Sequence, residues 1–174
     1  MSLIQIYDRK ALLEIGFSDI RKYHGELALM AVAVGFRVLQ EALKELYPEQ
    51  PPQRSAISIL SGHAGPGFRD AFEYVTRVVT RGAYEVNIHY PRGQYDPYRP
   101  QSYAFVIRDQ AGPSVEVTLQ PDFLPQVFYD YLKQGRDNSL SPEDTRSFDQ
   151  LKTDLAKQAL QLPAEQLLEI RRVF

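Results

Sequence analysis

FSDIRKYHGELALMAVAVGFRVLQEALKEL, residues 17–46, reads as a polar turn carrying a His-Gly pair that runs into one long helix. From Leu27 to Leu39 the apolar residues Leu27, Leu29, Met30, Val32, Val34, Phe36, Val38 and Leu39 leave almost no polar stripe. A helix that is apolar all round is a buried one. Beyond Arg37 the pattern turns one-sided, with Gln40, Glu41, Lys44 and Glu45 set against Ala42, Leu43 and Leu46. The block falls short of the roughly 20 apolar residues that a bilayer requires, and Arg37 interrupts it. The expectation is a central core helix that the rest of the chain covers.

A chain of 174 residues fits one domain with a helical extension better than two domains and can bury a core that needs no covalent staples. Twenty basic against 22 acidic side chains give a formal charge of -2, so no global field draws in nucleic acid or an anionic membrane surface. The absence of cysteine excludes disulfides, thiolate metal sites, iron–sulfur clusters and cysteine nucleophiles. No basic stretch followed by an apolar signal core opens the chain, and a cytoplasmic location with no membrane span is the expectation.

Outward from the core helix, the residues Asp8 to Ile15 suit a short helix with Gly16 at its C-terminal cap, and Ser18 or Asp19 suits the cap of the next turn. On the other side, Pro48, Pro51 and Pro52 keep a linker extended. Ala56–Leu60 is a short apolar run that reads as a buried strand. Ser61 to Asp70, SGHAGPGFRD, places three glycines before a second helix over about Phe68–Thr80. Glycines there let backbone amides approach a ligand, and a helix start favours an anion; a tight strand-to-helix turn accounts for the same glycines. The spacing matches neither a dinucleotide fingerprint nor a P-loop. Tyr84–Tyr90 alternates as a strand with one polar face, on which His89 falls beside Glu85 and Asn87. Residues 91–100, PRGQYDPYRP, predict a long irregular connection that serves as a lid or dimer arm. Two further strands follow at Tyr103–Arg108 and Val115–Leu119, joined by an Asp-Gln-Ala-Gly turn. The last third reads as helical: Asp122–Leu132, then a helix opened by Ser141-Pro142-Glu143-Asp144 and reaching about Leu160, then a short one from Leu162-Pro163-Ala164-Glu165. The order predicts an α+β fold, α-β-α-β-β-β with a small mixed sheet packed on the long buried helix, plus C-terminal helices.

Tyr23-His24-Gly25-Glu26-Leu27-Ala28, leading into an apolar helix with Gly35-Phe36-Arg37, resembles the HGxLCPG opening of the FmdE family of formylmethanofuran dehydrogenase components. Asp70-Ala71-Phe72-Glu73-Tyr74-Val75-Thr76 is similar to that family's C-x-x-D-A-I-Q-x-x-T-G-C segment. Ser102–Val106 resembles its central strand, and Leu162-Pro163-Ala164-Glu165-Gln166-Leu167-Leu168 its closing helix. The likeness spans about residues 15–120 plus the tail. It implies an FmdE-like α+β domain over residues 1–135 and a helical extension, 136–174, packed on it. The departures are specific. Ala28, Gly67 and Val78 stand where the family carries cysteines, and Glu26 replaces a second histidine, so a thiolate site of the family type is lost.

His24 precedes the core helix, His63 lies in the glycine turn and Asp70 begins the second helix, so a fold that joins both helix starts gathers them at one pocket. Imidazole and carboxylate suit a divalent metal, zinc or nickel, with His24 and His63 as its ligands. Gly25, Glu26, Gly65, Gly67, Asp70 and His89 are the candidates for holding a small anionic ligand. Each has a plainer reading. His24 and His63 serve equally as capping or packing groups, Asp70 as an acid favoured by the helix dipole, and His89 as a solvated strand residue. Arg69, Arg77 and Arg81 read as an exposed helix face, and Tyr95 and Tyr98 as packing within the loop or across a dimer. No residue is assigned a catalytic role. The leading expectation is a homodimeric metal- or small-ligand-binding module linked to redox or one-carbon metabolism. Its rivals are a small enzyme acting on an anionic metabolite through His24, His63 and Asp70, and a structural component of a larger complex.

Overall fold

The computed structural model describes residues 2–173. Its first element differs from expectation, since residues 4–15 form a hairpin of β1 (Ile4–Asp8) and β2 (Ala11–Ile15) rather than a helix. The pairing sets Ile4 opposite Ile15 and Ile6 opposite Leu13, so one apolar face enters the core, where Ile4, Ile6 and Ile15 are buried. That burial outweighs the helix preference of the Ala-Leu-Leu-Glu run. Arg9, at φ 57°, makes the turn.

Gly16 therefore opens a helix instead of closing one. It precedes α1 (Phe17–His24), and Asp19 Oδ2 accepts from its amide at 2.9 Å. A break at residues 25–28 separates α1 from α2 (Leu29–Leu46), with Gly25 at φ 96° and Ala28 at φ 55°. From Leu29 to Gln40 every residue of α2 is buried, as a helix apolar all round demands. Arg37 is buried with them. Its Nη1 donates to the carbonyls of Ala159 and Leu162, each at 2.7 Å, at the end of a helix described below.

The chain then forms β3 (Ile57–Ser61), α3 (Pro66–Thr76), β4 (Tyr84–Val86), β5 (Ala104–Asp109), β6 (Ser114–Leu119), α4 (Gln126–Arg136), α5 (Pro142–Gln161), the single turn α6 (Ala164–Leu167) and β7 (Leu168–Val173). Ser141 caps α5 by accepting from the Asp144 amide at 3.0 Å. The main sheet runs β4-β3-β5-β6-β7, with β3 and β4 parallel and every other pair antiparallel. The fold is thus α+β, with a mixed sheet on a long buried helix and helices toward the C-terminus. α2 packs against α3, α5 and the middle strands.

Two strand boundaries depart from the pattern. β4 ends at Val86, because β3 ends at Ser61 and leaves it no further partner; the Asn87 side chain then accepts from the His89 amide in a turn. His89 accordingly sits exposed in the connection, not on a strand face. The short helix of the tail is one turn long, and Leu168–Val173 continues as an edge strand paired with β6.

Two arginines close α3. Arg54 donates to the carbonyls of Tyr74 and Val75, and Arg81 to those of Thr76, Arg54 and Ile57. Cations at a helix C-terminus satisfy carbonyls that have no partner within the helix. Arg81 is therefore an anchor, not part of an exposed face, whereas Arg69 and Arg77 are exposed and pair with Asp70 and Glu73.

Candidate functional site

The start of α3 is pressed onto α2. A Cβ on Gly67 would lie 2.7 Å from that of Ala31 and 3.2 Å from the Ala28 carbonyl, so only glycine permits this approach. The same close contact places the end of the glycine turn beside the start of α2. Next to it lies a pocket of about 200 Å³ whose wall includes Ala28, Met30, His63, Arg99, Tyr103 and Lys152. Leu132, Phe128 and Phe148 from α4 and α5 complete the apolar side.

His63 is 8% exposed and wedged between Phe68 and Tyr103, at ring-centroid distances of 4.8 and 4.9 Å. Its Nδ1 accepts from the Gly65 amide at 2.8 Å, which leaves the ring proton on Nε2. Nε2 has no protein partner among the described residues. Burial, and secondarily the nearby Arg99 charge, depresses the pKa of His63 from 6.5 to about 3. The ring is neutral across the physiological range. Tyr103 is 1% exposed, its hydroxyl has no partner among the described residues, and burial raises its pKa.

Arg99 enters from the 91–103 connection. Its Nε lies 3.5 Å from Asp96 Oδ2, and the Asp96 carboxylate, itself buried, accepts from the Tyr98 amide. Lys152 stands 4.3 Å over the Phe148 ring and 3.3 Å from Asp149. Tyr95 stacks on Tyr103 and donates to the Leu119 carbonyl, and Tyr98 donates to Asp130. Tyr95 thereby packs against Tyr103 and the end of β6, and Tyr98, 43% exposed, ties the connection to α4.

His24 and Asp70 meet elsewhere. His24 Nδ1 lies 2.7 Å from Asp70 Oδ2 and Nε2 lies 2.6 Å from the Leu27 carbonyl. Both nitrogens face acceptors, so the ring that carries a proton on each makes both bonds and a singly protonated ring makes one. Asp70 sits in the second turn of α3 because the helix begins at Pro66, two residues before the expected start. The pair ties α1 and the 25–28 break to α3. Asp70→Ala and His24→Ala are each expected to cost about 2 kcal/mol, and the double variant no more than about 3, because they remove one shared interaction. Urea unfolding of the three variants checks this.

The structure thus divides the sequence candidates. His63, Gly65 and Gly67 line the pocket, while His24 and Asp70 form a separate tie. Glu26 is exposed and pairs with Arg21 at 2.8 Å, Gly25 closes α1, and His89 lies in the exposed turn. Among the described residues no three His, Cys, Asp or Glu side chains cluster as a metal-binding group. Arg99, Tyr103 and Lys152 escape the sequence reading because each reaches the pocket from a distant segment. A second, larger groove of about 580 Å³ runs between Leu13, Tyr23, Arg54, Glu73 and Arg77. Its charged groups already have protein partners, as with Arg54 on helix carbonyls and Glu73 on the Thr80 amide and hydroxyl.

No family model and no curated protein matches the chain. Among the described residues no helix is long and apolar enough to cross a membrane.

Proposed function

We propose that the chain is a small-ligand-binding module whose site is the pocket between the starts of α2 and α3, α4, α5 and the 91–103 connection. The observation that carries this reading is His63, more than nine-tenths buried as a residue, with Nε2 free of any protein partner among the described residues at the wall of a cavity lined mainly by apolar side chains. The Nε2–H is open to the cavity, and a ligand that accepts from it gains about 0.5–1.5 kcal/mol net over water. Small-molecule sites have this make-up, apolar walls with a few convergent polar groups. The neighbouring α2–α3 contact at Ala31 and Gly67 keeps one side of the cavity rigid.

The test blocks the cavity without touching its polar groups. Leu132, partly buried on α4, lines the pocket, and Leu132→Trp fills it. One-ring fragments, neutral and anionic, are screened by saturation-transfer NMR against both proteins. Binding to the wild type that weakens at least about tenfold, or 1.4 kcal/mol, in the blocked variant is the expected result. Equal binding to both proteins, or none to either, would remove the pocket as the site.

A further inference from the structure

Resting on that pocket reading, we propose that the ligand is a monocarboxylate with a compact apolar body, its carboxylate held by Arg99, His63 and the first free amides of α3. Every polar side chain lining the cavity is a donor. The wall carries the Arg99 guanidinium, the Lys152 ammonium, the His63 Nε2–H and the Tyr103 hydroxyl, and no Asp or Glu. His63 is held as a neutral donor by the Gly65 amide on its other nitrogen. The start of α3 adds to this. Pro66 brings no N–H, no side chain caps the helix, and the amides of Gly67 and Phe68 have no partner among the described residues. Helix starts of this kind hold anions.

The charge count favours one negative charge rather than two. Arg99 is shared with Asp96, and Lys152 with Asp149, so each cation is already partly offset. Neither Nη nitrogen of Arg99 makes a hydrogen bond among the described residues, which leaves the edge of the guanidinium that grips a carboxylate in a forked pair. The opposite wall, Met30, Leu132, Phe128 and Phe148, offers only hydrocarbon and sulfur. A dry cavity of about 150 Å³ accommodates benzene; one of about 200 Å³ accommodates an acid of about eight or nine non-hydrogen atoms.

The experiment compares benzoate with benzamide, equal in shape and different in charge, by titration calorimetry at pH 7 on the wild type, Arg99→Gln and Leu132→Trp. Benzoate is expected to bind at least about tenfold more tightly than benzamide, Arg99→Gln to erase that preference, and Leu132→Trp to abolish both. Raising the salt from low to high concentration on the wild type is expected to weaken benzoate and leave benzamide unchanged, a reading that needs no variant to fold. Equal affinity of the two compounds, lost in Leu132→Trp, overturns the carboxylate assignment and leaves the pocket standing. A benzoate preference that survives Arg99→Gln also overturns it. No binding of either compound to any of the proteins overturns both.

Discussion

Between pH 6.5 and pH 4 the wild-type chain is expected to lose on the order of 3 kcal/mol of stability that His63→Phe does not lose. The cause is burial. The folded ring, packed between Phe68 and Tyr103 and facing Arg99, does not accept a second proton until about pH 3, whereas the unfolded chain's histidine takes one below about 6.5. In that window the unfolded state binds more protons, so stability falls as the pH falls, by about 1.4 kcal/mol per unit. The full contribution is present above pH 6.5 and is gone once the pH passes below about 3. Phenylalanine keeps the ring packing and removes the titration, so the difference between the two pH profiles isolates this group from the carboxylates that also titrate in acid. Urea unfolding at half-unit intervals measures it. Parallel profiles would mean that His63 takes up its proton equally readily in both states.

Arg37→Met is expected to destabilise the chain by about 3 kcal/mol, lowering the melting temperature by about 6–12 °C. Methionine keeps most of the packed stem in α2 and removes the donors. The carbonyls of Ala159 and Leu162 then lose their partner at the closing turn of α5. Two charge-assisted bonds disappear, and the acceptors are left in a poorly solvated site. Arg37→Lys is expected to recover only part of the loss, because a single ammonium on a thinner stem does not reproduce the guanidinium geometry. A loss below about 0.5 kcal/mol for Arg37→Met would show that the α5 terminus finds other partners. Differential scanning calorimetry of the three proteins decides.

The same arginine shows what the sequence made legible and what it concealed. The apolar run around it marks α2 as the core helix, and its charge marks an interruption. That it closes a helix more than 120 residues away follows only from the tertiary fold. The strands β3, β5 and β6 and the Ser141 cap of α5 follow from local pattern and capping chemistry. The β1–β2 hairpin does not, because Ala11–Ile15 is a good helix by composition and its strand identity depends on Ile4 and Ile6 across the turn. β7 is hidden for a related reason. Its Leu168-Glu169-Ile170-Arg171 alternation is short and follows a helix-favouring segment, and only the open edge of β6 gives it a role. At the candidate site, the glycine turn signals a close approach of backbone, and Gly65 and Gly67 line the cavity. Arg99 and Lys152 carry no such signal, since a loop arginine and a helix lysine look like solvated charges until the chain folds around them.

The central claim is that the pocket beside His63 receives a small carboxylate. Its most direct test is a benzoate titration of isotope-labelled protein followed through backbone amide and histidine ring resonances. Shifts that saturate at the Gly67 and Phe68 amides, at the His63 ring and at the Arg99 side chain, with little change near Tyr23 and Arg77, are the predicted result. Shifts confined to the groove around Tyr23, Arg54 and Arg77, or none anywhere at millimolar benzoate, would contradict it.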